Sequence, residues 1–365
     1  MVSPTVGSAP QVPGTGTPGT SGEPVLSEAR RTRFDIMRRV DDRLTAFLAA
    51  ERLRWAAVDD RGAVPVDAVT SLVAAGGKRL RPAFCVAGFL SAGGDPAETS
   101  VVDSAAGVEL IHTGALIHDD VLDASELRRG TPAVHTHHTR GHRERNWLGE
   151  PRRYGEGVAI ISGVLANIFA DRLTRDLPPA ARDIWGEMLT EIQIGQYLDM
   201  AVAAEGVIEP ELSRWVAICK SGRYSIHRPL VLGAALAGRD DLAPAFEEYG
   251  ETLGEAFQLR DDLIGTFGDS GAAGKPVGLD LEQHKMTLLL AEAAQRDERV
   301  RKLISRKEWD TAEILDRLGE SRERIEERIT GLVDQAVRAI DQARLDAAWR
   351  TELTEMAYEV AYRNR

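Results

Sequence analysis

Apolar positions in this 365-residue chain recur mostly at the spacing of a helix rather than of a strand. Phe34, Met37, Leu44, Phe47 and Leu48 keep that period as far as Trp55, which predicts a first core helix. A shorter helix is expected over Val66–Ala75, ended by Gly76 and Gly77, and another begins near Pro82, because proline suits a first helical turn. Longer helical patterns run over Val102–Asp123, Gly157–Leu173 and Ile184–Ala203. A further helix starts near Glu211 and reaches Lys220, and another leads from Leu253 into Asp261 and Asp262. The charged stretch from Arg296 onward also reads as helical, with no chemistry of its own, packed on the outside or against a second copy. Two segments break the pattern. Residues 1–25 are dominated by Gly, Pro, Ser, Thr and Val and cannot offset the entropy of ordering, so a disordered tail is expected ahead of one domain at 26–365. Thr131–Tyr154 is polar, rich in His and Arg, and is expected to be a mobile basic loop. Its arginines would repel a zinc ion and no cysteine lies nearby.

Composition sharpens this picture. Only 5% of residues are aromatic, while alanine, leucine, glutamate and arginine abound, which favours an all-α fold over a sandwich or barrel. The net charge of −12 argues against a general nucleic-acid binder. Cys85 and Cys219 both fall in apolar helical patterns, as buried thiols rather than a disulfide, which fits a cytoplasmic protein. No apolar run is long enough to span a bilayer.

Chemistry gathers in two acidic clusters. Asp119 and Asp123 stand four residues apart on one helix face with Asp120 beside them. Converging carboxylates repel unless hard cations lie between them, and Mg²⁺ takes one or two carboxylates together with phosphate oxygens and water. Arg128 and Arg129 follow, suited to bidentate phosphate contact. Asp261, Asp262 and Asp269 repeat the arrangement, with Lys275 beyond. Upstream, Lys78, Arg79 and Arg81 precede a helix start, which makes an anion site.

These motifs, DDxxD with RRGxPxxH, DDxxxxxGD, GKRLRP and GQYLD, occur in an order that resembles the trans-isoprenyl diphosphate synthases, most of all their geranylgeranyl diphosphate branch. The resemblance runs from about Gly76 to about Leu290. It implies a single large helical bundle of the isoprenoid synthase type with a central cavity. It also implies a soluble homodimer and two or three Mg²⁺ ions held by Asp119, Asp120, Asp123, Asp261 and Asp262. The implied substrates are isopentenyl diphosphate and an allylic diphosphate (dimethylallyl, geranyl or farnesyl). By resemblance Lys78, Arg81, His112 and Arg129 hold isopentenyl diphosphate, while Arg128, Lys220, Lys275 and Gln258 serve the allylic diphosphate. The Ser221 hydroxyl lies near the reacting carbon, His118 is structural, and Gln196 and Asp199 line the cavity wall.

Product length should depend on what stands below Asp119. By resemblance to the family, in which bulky aromatics at this level go with a fifteen-carbon product, the small Gly114 and Ala115, with Ile111 deeper, imply a twenty-carbon product, with twenty-five the nearest alternative. Two positions depart from the family pattern: Val164 replaces an aspartate, and Gly265 replaces the third aspartate of the second cluster. They keep open a non-catalytic subunit of a heteromeric synthase. A class I terpene cyclase would share the aspartates but would not need Lys78, Arg81 and Arg129.

Overall fold

The structure is a computed structural model describing residues 26–267, 279–282, 284–306, 308–319 and 321–363. The first helix, α1 (Glu28–Ala56), buries Met37, Leu44, Phe47 and Leu48 of the predicted stripe and adds Ile36 and Val40, whereas Phe34 is 44% exposed. Ser27 lacks a capping-box partner, yet its hydroxyl accepts from the Arg30 amide at 3.1 Å and caps the helix. Helices α2 (Val64–Ala74) and α3 (Leu80–Ser91) follow. Phe84, Cys85, Val86, Ala87 and Phe89 on α3 are wholly buried, so this helix is enclosed on all sides.

Helix α4 (Ser100–Leu122) carries the first acidic cluster at its end. A two-residue hairpin pairs Leu127 with Pro132 and Arg128 with Thr131. Beyond it the expected mobile loop is not what the structure contains. Val134–Glu144 forms helix α5, packed on α6 (Pro151–Leu173). Polarity misled the sequence reading here, because the helix is held by close approach: a Cβ at Gly155 would meet the His135 carbonyl at 2.3 Å.

Helices α7 (Pro179–Glu205) and α8 (Pro210–Ala217) lead into a π-helical segment, Ile218–His227. Then come α9 (Arg228–Leu236) and α10 (Ala243–Phe267), the latter running unbroken through Gly265. Helix α9 lies against α3 with almost nothing between the backbones, since a Cβ on Gly233 would stand 2.1 Å from the Cys85 carbonyl. The C-terminal stretch is not merely external. Helix Arg322–Gln342 buries Ile325, Ile329, Val333 and Ile340 against α10, and helix Ala347–Ala361 adds Leu353 and Met356 to the same core. Cys85 and Cys219 are free and buried, and among the described residues no helix is long and apolar enough to cross a membrane.

Candidate active site

Helix α4 delivers three aspartates into two environments. Asp119 and Asp123 keep side-chain exposures of 19% and 10%, whereas Asp120 is 2% exposed. Asp120 accepts from Arg128 Nε at 2.9 Å and Nη2 at 2.5 Å, and the same guanidinium reaches Asp119 at 3.3 Å. The expected convergence of all three carboxylates therefore resolves into a part-buried pair, Asp119 and Asp123, and a fully buried Asp120 that is the main partner of Arg128. Among the described residues no three His, Cys, Asp or Glu side chains form a ready-made ion cage.

Cations surround Asp119 and Asp123. Lys220, on the π-helical segment, donates to Asp199 at 2.6 Å and to Asp119 at 3.5 Å, and Gln196 Nε2 approaches Asp119 at 3.4 Å. Burial alone would lower the Lys220 pKa, but Asp199 and Asp119 outweigh it and hold the ammonium charged well above its ordinary range. Lys285, which the sequence reading passes over in favour of Lys275, bonds to Asp123. Its pKa also ends above the ordinary value, because Asp123 overcomes desolvation. A signal was present: Thr287 caps the following apolar helix Leu288–Arg296, fixing a cation two residues upstream of a rigid start. Lys275 and Asp269 lie outside the described residues.

Lys220 sits where it does because backbones touch around it. A Cβ at Gly195 of α7 would meet the Lys220 amide nitrogen at 2.9 Å, and one at Gly254 of α10 would meet the Gly222 Cα at 2.3 Å. The wide turn of a π-helix and two glycine contacts press the segment between α7 and α10. Lys220 and Ser221 consequently line two hollows at once. One, of about 370 Å³, is bounded by Asp119, Gln196, His112, Arg81 and Ala115. The other, of about 120 Å³, is bounded by Asp199, Gln258, Asp262 and Lys285. The two acidic clusters thus border two adjacent hollows, together the acidic space, with Lys220 and Ser221 as their common wall.

Within the second cluster, Asp262 faces that space, accepting from Gln258 Nε2 at 2.8 Å and from the Leu289 amide at 3.2 Å. Asp261, 42% exposed, is engaged by Arg363 from the C-terminal end of the chain. The Arg363 guanidinium lies 4.1 Å from the Phe257 ring centre. Nothing in the sequence marks Arg363, which stands 102 positions from its partner.

The basic motif upstream divides its work. Arg79 is tied to Glu109 at 2.5 Å and Asp41 at 3.0 Å, in a left-handed backbone conformation at the start of α3. Arg81 lies 4.5 Å from the Tyr224 ring centre and donates to His112 Nε2 at 3.2 Å. Burial, reinforced by Arg81 and Arg129, drives the His112 imidazole well below its ordinary pKa, so it is neutral and able to accept. Arg129 bonds the Leu72 carbonyl at 3.2 Å and the Gly76 carbonyl. Lys78 opens instead onto a separate hollow beside Phe257 and Arg363.

Three of the sequence assignments change neighbourhood. Gly114 does not face the hollow: its missing side chain lets α4 approach α6, where a Cβ would lie 2.8 Å from Asn167 Oδ1. Ile111 is buried, leaving Ala115 with Leu116, Ile160 and Ile192 as walls. Val164, 46% exposed, lies on the outer face of α6. The neighbouring Gly163 makes room for His118, which bonds the Ile160 carbonyl at 3.1 Å and ties α4 to α6.

Comparison with known proteins places this geometry in context. Residues 65–319 match the family described as polyprenyl synthetase. A short chain isoprenyl diphosphate synthase of Methanothermobacter thermautotrophicus is 33% identical over 271 residues, 72% of this chain and 75% of that one. A geranylgeranyl diphosphate synthase of Mycobacterium tuberculosis is 31% identical over 76% of this chain and 73% of its own. The crystal structure of a Corynebacterium glutamicum geranylgeranyl pyrophosphate synthase, complexed with isoprenyl diphosphate and magnesium, superposes with a TM-score of 0.83. It shares 36% identity and covers 89% of this chain and 97% of that one.

Proposed function

Because this chain belongs to the polyprenyl synthetase family and is a prenyltransferase, we propose that it condenses isopentenyl diphosphate with an allylic diphosphate to give geranylgeranyl diphosphate. The observation that carries this reading is the pair of adjacent hollows, one bordered by Asp119 and the other by Asp262, with Lys220 and Ser221 as their common wall and Lys285 of the second bonded to Asp123. Asp119, Asp123 and Asp262 offer hard oxygens to two or three Mg²⁺ ions, with Asp261 available should Arg363 withdraw. When bound, Mg²⁺ supplies electrostatic stabilisation to charge growing on the departing diphosphate.

The chain's own groups carry the remaining steps. The bond between C1 and oxygen of the allylic substrate breaks, and its electron pair stays on the diphosphate, which Lys220, Lys285 and Arg128 surround with positive charge. Arg81, Arg129 and the neutral His112 hold isopentenyl diphosphate, whose double bond attacks C1. Attack through its C4 leaves a tertiary cation at C3, a proton then leaves C2 to form the new double bond, and the departing diphosphate accepts it. No nucleophilic side chain is needed.

Ala115 leaves the tail hollow open one turn below Asp119, which supports a twenty-carbon product. A homodimer is supported by exposed apolar residues on two helices: Ile161, Val164 and Ile168 on α6, and Ile194, Tyr197 and Met200 on α7, are all 44% or more exposed. The direct test is mass spectrometry of products from purified protein, isopentenyl diphosphate, each allylic starter and Mg²⁺. Geranylgeranyl diphosphate is expected as the main product, abolished by EDTA, and Ala115→Phe should shift it to fifteen carbons. A dominant fifteen-carbon product from the wild type overturns the pocket argument. Hydrocarbon products would indicate cyclisation instead.

A further inference from the structure

A further cavity, separate from the two hollows around Lys220 but reaching Asp120 and Arg128, lies between α2 and α5 with a volume of about 950 Å³. That is near the upper end of the roughly 300–1,000 Å³ typical of small-molecule sites. Its walls are largely apolar, formed by Val64, Ala68, Leu72 and Val134 with the rings of Trp147 and Tyr154. Cations stand on the same walls. Arg128 is shared with the first acidic cluster, where it bonds Asp120 and Asp119. Arg145 contacts the Gly141 carbonyl at 3.2 Å and lies 5.2 Å from the Trp147 ring centre, with no carboxylate paired to it among the described residues. Two carboxylates also line it, and both are engaged: Asp120 by Arg128 at 2.5 Å and Asp67 by Arg52 at 2.8 Å. Burial pushes His138 down to about 4, so at neutral pH its imidazole adds a polar contact without charge.

We propose that this cavity binds an anionic amphiphile, its hydrocarbon part over Leu72, Val134 and Trp147 and its anionic head against Arg145 and Arg128. A cavity with apolar walls rejects a bare anion, and an unpaired guanidinium favours a charged head over an alcohol. Two sources share this chemistry: a prenyl diphosphate made by the enzyme itself, and a fatty acid. Only the first rests on the proposed reaction. An anion drawn to Arg128 competes with Asp120 for its guanidinium, so filling the cavity and filling the acidic site are linked, and the linkage is reciprocal.

The experiment is isothermal titration of the full chain, without turnover, with geranylgeranyl diphosphate, palmitate, geranylgeraniol and inorganic diphosphate in separate arms. Geranylgeranyl diphosphate is expected to fill two sites per chain. In Arg145→Ala one of them should weaken about tenfold, the loss of a single good charge contact. In Ser71→Trp, which blocks the cavity from an exposed position of α2, that site should vanish while kcat and KM stay unchanged. Palmitate binding to the same site, with the same response to both variants, identifies a general amphiphile site, and failure of palmitate to bind identifies one selective for the product. One site per chain overturns the proposal, as does a second site indifferent to both variants or one filled equally by geranylgeraniol or inorganic diphosphate. Absence of turnover bears on the reaction alone, because none of these readings uses it.

Discussion

Lys220 and Lys285 show how single charges are placed for use. Each is largely withdrawn from water and each is held charged by a carboxylate of the acidic space, Lys220 by Asp199 and Asp119 and Lys285 by Asp123. An ammonium so anchored needs little reorganisation when a diphosphate arrives. Lys285→Met should therefore lower kcat by about 10²–10³, the usual effect of removing one preorganised charge-stabilising group, with a smaller change in KM. Steady-state kinetics check this, and an unchanged kcat would remove Lys285 from the proposed machinery. His227, at the end of the π-helical segment, is a different case. It is 3% exposed, and burial, aided by Arg228 and Arg223, pushes its pKa down to about 3 from an ordinary 6.5. The unfolded chain takes up a proton that the folded one refuses, so its stabilising contribution is complete above pH 6.5 and declines as pH falls towards 3. In denaturant unfolding, His227→Leu should lose about 2 kcal/mol less than the wild type between pH 7.5 and pH 5. Equal losses would contradict this.

At the scale of elements, glycines decide where helices meet. Gly88 and Gly233 let α3 and α9 cross at backbone contact, and Gly222 and Gly254 do the same for the π-helical segment and α10. The second pair positions Lys220 and Ser221 relative to Asp262. Gly254→Ala puts a methyl group 2.3 Å from the Gly222 Cα, so one helix must move. The expected cost is about 1–3 kcal/mol, seen in denaturant melts. Because Lys220 shifts with its segment, kcat should fall more than KM rises. A variant with lowered stability and wild-type kinetics would separate the helix contact from positioning. Helix α5 belongs to this scale too: its polar sequence carries no apolar stripe, and contact with α6 determines its conformation.

For the molecule as a whole, the acidic space draws on helices from most of the chain's length, from Arg81 to Lys285. The apolar faces of α6 and α7 lie outside it, and Val164 belongs to them rather than to the chemistry. If a second copy covers these faces, Ile161→Glu with Ile168→Glu should convert the dimer to a monomer in size-exclusion chromatography with light scattering. Wild-type protein eluting as a monomer at micromolar concentration would refute the assignment.

The residue order alone determined the helical class, the two acidic clusters, the basic turn before α3 and the buried thiols. Each of these rests on local periodicity or on motifs a few residues long. The ends of α2, α3 and α4 were located to within a few residues, but α1, α6, α7 and α10 begin well before the predicted starts, and α5 and α9 were not predicted. What the sequence could not supply was any relation between distant positions. It assigned Asp120 to the same task as Asp119, read Gly114 as a pocket wall, and passed over Lys285 and Arg363 altogether. A helix repeats its faces every 3.6 residues, but which face meets solvent, a neighbour or a hollow depends on how helices cross. Those crossings come from packing between segments a hundred or more positions apart, so the partners of Asp123 and Asp261 became legible only once the chain was folded.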